Sequence, residues 1–214
     1  MRKLVIFDLD GTTVFTMDDI AGSLNHALQE NGYEPMSMEE VMKLVGYSAG
    51  HLCEYALPEA ERKDKAPVIL KDYMDHYKDH CCDRAFAYPD AMRTMVDLRR
   101  LGMELAVVSN KPNRDTQKVI STLYPEGLFS FVLGAMKSVT KKPAADPLLF
   151  VMEYLGYEKE ETVYIGDSEV DIRFAENAGI ECISCAWGYR STSELEEAGA
   201  KKIIYEFSEL LDIL

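Results

Sequence analysis

Leu4-Val5-Ile6-Phe7-Asp8-Leu9-Asp10-Gly11-Thr12 decides how this chain is read. Four apolar residues with no polar interruption have the length and composition of a strand buried on both faces, as in a parallel sheet. Asp8 and Asp10 follow at i and i+2, on one side of the chain while it stays extended, and Gly11 permits a sharp turn. Two carboxylates at the mouth of an apolar strand repel each other and resist desolvation, so one is protonated or both share a cation. Taken alone they also fit a turn and a helix cap.

Working outward, short apolar runs recur at Leu105–Val108, Phe131–Leu133, Val163–Ile165, Ile180–Ile183 and Ile203–Ile204, most of them separated by helical patterns. Ala91, Met95 and Leu98 mark one such helix, with Gly102 placed to end it. The alternation predicts a parallel α/β sheet, in which ligands gather at the carboxyl ends of the strands. Between Phe15 and about Arg84 there is no strand candidate. Apolar stripes at Ile20, Leu24, Ala27 and Leu28, then at Val41, Leu44 and Val45, predict a helical insertion there. Thr16 offers an N-cap at its start, and Tyr88-Pro89-Asp90 a turn where the α/β pattern resumes.

The other strand ends repeat the polar theme. Ser109-Asn110-Lys111 follows one strand and brings a hydroxyl, an amide and exposed backbone N–H groups, which suit a phosphate. Gly166-Asp167-Ser168-Glu169-Val170-Asp171 follows another, with Asp171 one helical turn beyond Asp167, and Lys141-Lys142-Pro143 lies between. Each segment singly reads as a cap or a surface charge. Independent caps would not deliver carboxylates, a hydroxyl, a lysine and a further carboxylate to successive strand ends. Together they describe an oxygen-rich cation site beside an anion site, and hard oxygen ligands favour Mg²⁺.

Charge and composition exclude several alternatives. With 37 acidic against 23 basic side chains the formal charge is −14, which argues against nucleic acid or an anionic membrane surface as partner. No apolar run is long enough to span a bilayer, and four apolar residues after Met1-Arg2-Lys3 are too few for a signal peptide. Five cysteines, an odd number, fit reduced thiols and a cytoplasmic setting. Cys182 and Cys185 have C-x-x-C spacing without a second pair, and alternate in a strand-like stretch as core residues do. A monomer is the default expectation, and a dimer is possible.

In their order, Asp8-Leu9-Asp10-Gly11-Thr12, Ser109-Asn110, Lys142-Pro143 and Gly166-Asp167-Ser168-Glu169-Val170-Asp171 resemble the motifs of the haloacid dehalogenase superfamily. Val45-Gly46, Val107–Pro112 and Trp187-Gly188-Tyr189-Arg190, followed by Glu194–Ala200, narrow the likeness to its phosphoglycolate phosphatase-like members. The resemblance implies a Rossmann-like core over residues 1–15 and 84–214, with a helical cap over 16–83. It implies Asp8 as nucleophile forming an aspartyl-phosphate, Asp10 as general acid and then base, and Lys142 as charge neutraliser. Mg²⁺ would rest on Asp8, the Asp10 main-chain carbonyl and Asp167, with Asp171 behind them. Thr12, Ser109 and Asn110 would meet the substrate, a small phosphorylated metabolite, of which phosphoglycolate leads.

In the cap, Tyr47 and His51 belong to a polar loop, Gly46–His51, and one or the other is expected to touch the leaving group. Arg190 fits a surface charge or a residue at the site rim. Phe15 stands where the family commonly has a carboxylate near the cap hinge, which bears on substrate choice. A β-phosphoglucomutase-like mutase would carry a His and an Arg where Ile20 and Ala49 stand, and a phosphonatase would need a cap lysine, for which Lys43 is the one candidate. A pyrophosphatase or nucleotidase of the same superfamily, and a catalytically silent phosphate-binding regulator, complete the alternatives.

Overall fold

The computed structural model describes residues 2–214. β1 (Leu4–Phe7) is buried at every position and lies inside a six-stranded sheet. The chain then forms β2 (Val14–Phe15) and leaves for four helices, α1 (Met17–Glu30), α2 (Met38–Leu44), α3 (Ala49–Tyr55) and α4 (Arg62–His80). It returns through β3 (Phe86–Ala87), α5 (Ala91–Arg100), β4 (Glu104–Pro112), α6 (Asn113–Leu123) and β5 (Phe131–Ala135). α7 (Asp146–Leu155), β6 (Thr162–Gly166), α8 (Glu169–Ala178), β7 (Glu181–Cys185), α9 (Thr192–Glu197), β8 (Ile203–Ile204) and α10 (Leu210–Ile213) complete it.

The sheet order is β5-β4-β1-β6-β7-β8, and all pairings are parallel. Alternation along β1 sends Val5 and Phe7 into one core, and Leu4 and Ile6 into another on the opposite face. The first core continues with Leu105, Val107, Met95 and Leu98, the second with Ala106, Leu148, Tyr164 and Phe174. With both faces covered, the strands read as continuous apolar runs. Because the order turns back about β1, the carboxyl ends of β4, β1 and β6 frame the crevice where such sheets bind ligands.

Two features depart from the sequence reading. β4 runs on to Pro112 instead of stopping at Val108, because after an irregularity Pro112 pairs with Ala135 of β5. That extension needs Gly134: a Cβ there would fall 2.5 Å from Asn113 Cα and 2.7 Å from the Lys111 carbonyl. Second, β2 and β3 form a two-residue antiparallel ribbon where the helical segment leaves and rejoins the sheet, too short for periodicity to reveal. Phe15 stacks on Phe86 in this ribbon, with ring centroids 5.0 Å apart, and meets Tyr189 edge-on. Thr16 does precede α1, but its hydroxyl makes no cap bond and donates to Asp10. The five cysteines are free, Cys185 buried and Cys182 partly so. Among the described residues no helix is long and apolar enough to cross a membrane. Gly134→Ala is expected to lower stability by about 1–3 kcal/mol, as overpacking does, in a urea titration.

Candidate active site

Asp8 leaves β1 with its N–H donating to the Ile165 carbonyl of β6 at 2.9 Å, which pins it between two strand ends. Lys142 reaches it from the loop before α7. Its ammonium donates to Asp8 Oδ1 at 2.6 Å, Asp171 Oδ1 at 2.7 Å and the Tyr164 hydroxyl at 2.9 Å, which uses all three of its N–H groups. Asp171 lies in the first turn of α8, where its Oδ2 accepts from the Ser168 hydroxyl and the Ser168 and Asp167 N–H groups. Asp167 accepts from Thr12 Oγ1 at 3.0 Å and from the Tyr189 N–H at 2.8 Å. Tyr189 also accepts from the Thr16 N–H at 2.9 Å, so one residue joins the site to the start of α1. Thr12 is fully buried behind Asp167, and its expected contact with substrate gives way to this bracing role.

Asp8, Asp167 and Asp171 each bring an oxygen within 4.8 Å of the others, all three buried. Burial, opposed by Lys142 and reinforced by Asp171, pushes the Asp8 carboxyl up to about 7. Burial and the charges of Asp171 and Asp8 hold Asp167 well above the ordinary carboxylate range. Asp171 is held low despite its burial, by the charge and hydrogen bond of Lys142. With all three ionised, one ammonium would leave two negative charges unbalanced in a dry place, which is the cost that the raised Asp8 and Asp167 carboxyls record. Gly188 presses so close to Asp167 that a Cβ would fall 2.2 Å from the Asp167 Cβ. A hard, oxygen-only donor set with excess negative charge fits a small divalent cation such as Mg²⁺.

Asp10 faces the other way. Its carboxylate is outside this triad, 2.8 Å from the Lys111 ammonium, and accepts from the Thr16 hydroxyl at 2.6 Å. Lys111 in turn donates to the Tyr77 hydroxyl of α4 at 2.6 Å and lies 4.7 Å from the centre of that ring. Lys111 was not assigned a role from sequence. The available signal was its place two residues beyond Ser109, on the same side of an extended strand.

Asp8, Asp10, Ser109 and Lys111 floor a cavity of about 40 Å³, room for roughly three waters. Ile20, Leu44, Tyr47, Leu52 and Tyr73 contribute to its roof. Asn110 lines it too, but its amide is spent on structure: Nδ2 donates to the Gly46 and Lys142 carbonyls, and Oδ1 accepts from the Lys142 N–H. His51 is not among the lining residues. It is stacked between Tyr47 and Tyr55, with centroids 4.4 and 4.2 Å away. Arg190 is neither a surface charge nor on the rim. Its side chain is 7% exposed, pairs with Glu169 at 2.9 Å and donates to the Met42 and Val45 carbonyls at the end of α2, each at 2.9 Å. Lys43 is exposed and paired with Glu39, away from the cavity.

A buried carboxylate, lysine and metal-type triad at the switch point of a parallel α/β sheet defines an enzyme that works on an anionic group. The chain belongs to the haloacid dehalogenase-like hydrolase family, whose model matches residues 5–185. It is 31% identical to the phosphoglycolate phosphatase of Haemophilus influenzae strain 86-028NP, over 99% of this chain and 98% of that one. It is 33% identical to the phosphoglycolate phosphatase of Aquifex aeolicus, over 87% and 86%. A crystal structure from Lactobacillus delbrueckii subsp. bulgaricus, provisionally assigned as a phosphoglycolate phosphatase, superposes with a TM-score of 0.95 at 31% identity, covering 100% and 98%.

A carboxyl whose pKa is raised on folding binds its proton more readily in the folded state. For Asp8 the cost to stability therefore grows as pH rises from 3.8 towards about 7, and a divalent cation offsets it above that range. Mg²⁺ is expected to raise the melting temperature more at about pH 8 than at about pH 5.5, where protons hold the same oxygens. An equal shift at both, by scanning fluorimetry, contradicts this.

Proposed function

We propose that the protein is a Mg²⁺-dependent phosphomonoester hydrolase of small metabolites, with phosphoglycolate the leading substrate. The observation that carries this reading is Asp8, desolvated and 2.6 Å from Lys142, on the floor of a cavity shared with Asp10, Ser109 and Lys111. Relatives named phosphoglycolate phosphatase over nearly the whole chain support the substrate. So does the lining: Lys111 is its one cation among the described residues, and a leaving group with a single carboxylate matches it. Ile20 and Ala49 line the wall where a mutase would need a basic residue.

In this reading an Asp8 oxygen attacks phosphorus and the bond to the ester oxygen breaks, giving an aspartyl-phosphate. The substrate's negative charge, entering beside Lys111, frees Asp10 from its ion pair to take up a proton from solvent, and Asp10 passes that proton to the departing alkoxide. Asp10 then takes a proton from the water that cleaves the acyl-phosphate, which releases phosphate and restores Asp8. Ser109 binds the phosphoryl oxygens, and Lys142, held by Asp171 and Tyr164, balances charge on Asp8. Asp8, Asp167 and the Asp10 main-chain carbonyl would hold Mg²⁺, which supplies further neutralisation of the phosphoryl group. Residues 16–83 serve as a cap over a core of 1–15 and 84–214, and the five free thiols fit work in the cytoplasm.

Phosphate release across a panel of phosphoglycolate, hexose phosphates, nucleoside monophosphates and pyrophosphate tests this. Mg²⁺-dependent release with phosphoglycolate preferred is expected, abolished in Asp8→Asn and reduced roughly 10²–10⁴-fold in Asp10→Asn. A folded Asp8→Asn protein with near-normal rates refutes the mechanism. Tyr47→Ala is expected to raise KM for the preferred substrate, whereas His51→Ala, off the lining, leaves it unchanged. The opposite pattern in steady-state kinetics would place His51 on the leaving group.

A further inference from the structure

The helical layer carries a second set of ligand-type side chains that shares no lining residue with the cavity over Asp8. His26 and Glu30 stand four residues apart on α1, and Asp72, His76 and His80 follow at the same interval on α4, so each set occupies one face of its helix. The two faces meet. The His26 ring centroid lies 4.1 Å from that of His76, which lies 4.1 Å from that of His80. At the other end of the seam Asn31, next to Glu30, donates to Asp72 at 2.8 Å. Two clefts open here. One takes walls from Glu30, Asp72 and Asp79, the other from Asp19, Ser23 and Asp83, and His76 and His80 line both.

The imidazoles are set up as metal-bound imidazoles are. Nδ1 of His80 lies 2.7 Å from the Asp83 carboxylate, and Nδ1 of His76 lies 2.9 Å from the Ser23 hydroxyl. A carboxylate on Nδ1 places the proton there and leaves the Nε2 lone pair free, and the same outer contact orients the ring. Among the described residues no hydrogen bond engages Nε2 of either ring. The surrounding carboxylates favour a cation, and imidazole nitrogen selects a borderline transition ion over Mg²⁺.

We infer that the seam between α1 and α4 binds a borderline divalent transition cation of the Zn²⁺, Co²⁺ and Ni²⁺ kind. His26, His76 and His80 supply nitrogen, and a carboxylate of the seam completes a four-coordinate shell. In their stacked arrangement the rings do not converge; the set with ligand atoms within 4.8 Å of one another is Asp8, Asp167 and Asp171. Binding therefore turns the exposed His26 from one staggered rotamer to another, while His76 and His80 keep the Nδ1 contacts that orient them. The ion then ties α1 to α4, separately from the cation that serves Asp8.

Equilibrium dialysis of the full chain against Zn²⁺ in excess Mg²⁺ tests the site, with Co²⁺ as a spectroscopic probe. Stoichiometric Zn²⁺ that Mg²⁺ does not displace, and the visible bands of tetrahedral Co²⁺, are expected. His80→Ala and His26→Ala, on exposed positions that leave the fold intact by circular dichroism, are expected to weaken Zn²⁺ by roughly tenfold or more. Asp83→Asn is expected to weaken it about tenfold, and Asp167→Asn to leave it unchanged. Zn²⁺ is also expected to raise the melting temperature of the parent more than that of His80→Ala. Absence of Zn²⁺ binding in Mg²⁺, or binding that survives the histidine substitutions and is lost in Asp167→Asn, overturns the inference.

Discussion

One ammonium group set among buried carboxylates is the constraint around which the rest is arranged. Lys142 Nζ touches Asp8 and Asp171, and Asp167 stands beside them with no cation of its own among the described residues. Holding like charges this close out of water is unfavourable unless each oxygen is met by a donor. The fold provides the donors from separate elements: Ser168 at the start of α8, Tyr164 from β6, Thr12 from the turn after β1, and the Tyr189 backbone. The sheet order brings β1 and β6 side by side, and so makes this convergence possible.

Much of this was legible in the sequence because it rests on local chemistry. Asp8 and Asp167 stand at strand ends, and an apolar run that stops at a charged residue announces that end, while Lys142 lies in the loop before α7. The β2–β3 ribbon was not legible, since two residues carry no periodicity, nor was the extension of β4, which depends on Gly134 in a strand distant along the chain. Lys111 passed unassigned because its partners, Asp10 and Tyr77, come from parts of the chain that only folding brings together. His51 misled for the opposite reason: its loop does reach the cavity, but aromatic neighbours on either side hold its ring away.

The helical layer is held to the sheet by main-chain carbonyls more than by side-chain pairs. Asn110 grips Gly46, and Arg190 grips the last carbonyls of α2, groups that every helix end leaves without an internal partner. Such contacts are indifferent to side-chain identity on the helical side. The lining residues of the roof can therefore vary without loosening its seat.

Tyr189 has a geometric consequence of its own. Its hydroxyl accepts from the Thr16 N–H, and its N–H donates to Asp167, so the first residue before α1 is fastened to the charged centre. The start of α1 and the charged centre are thereby coupled: whatever shifts Thr16 shifts the Tyr189 ring and with it the N–H that braces Asp167, while the Thr16 hydroxyl keeps Asp10 in the same register.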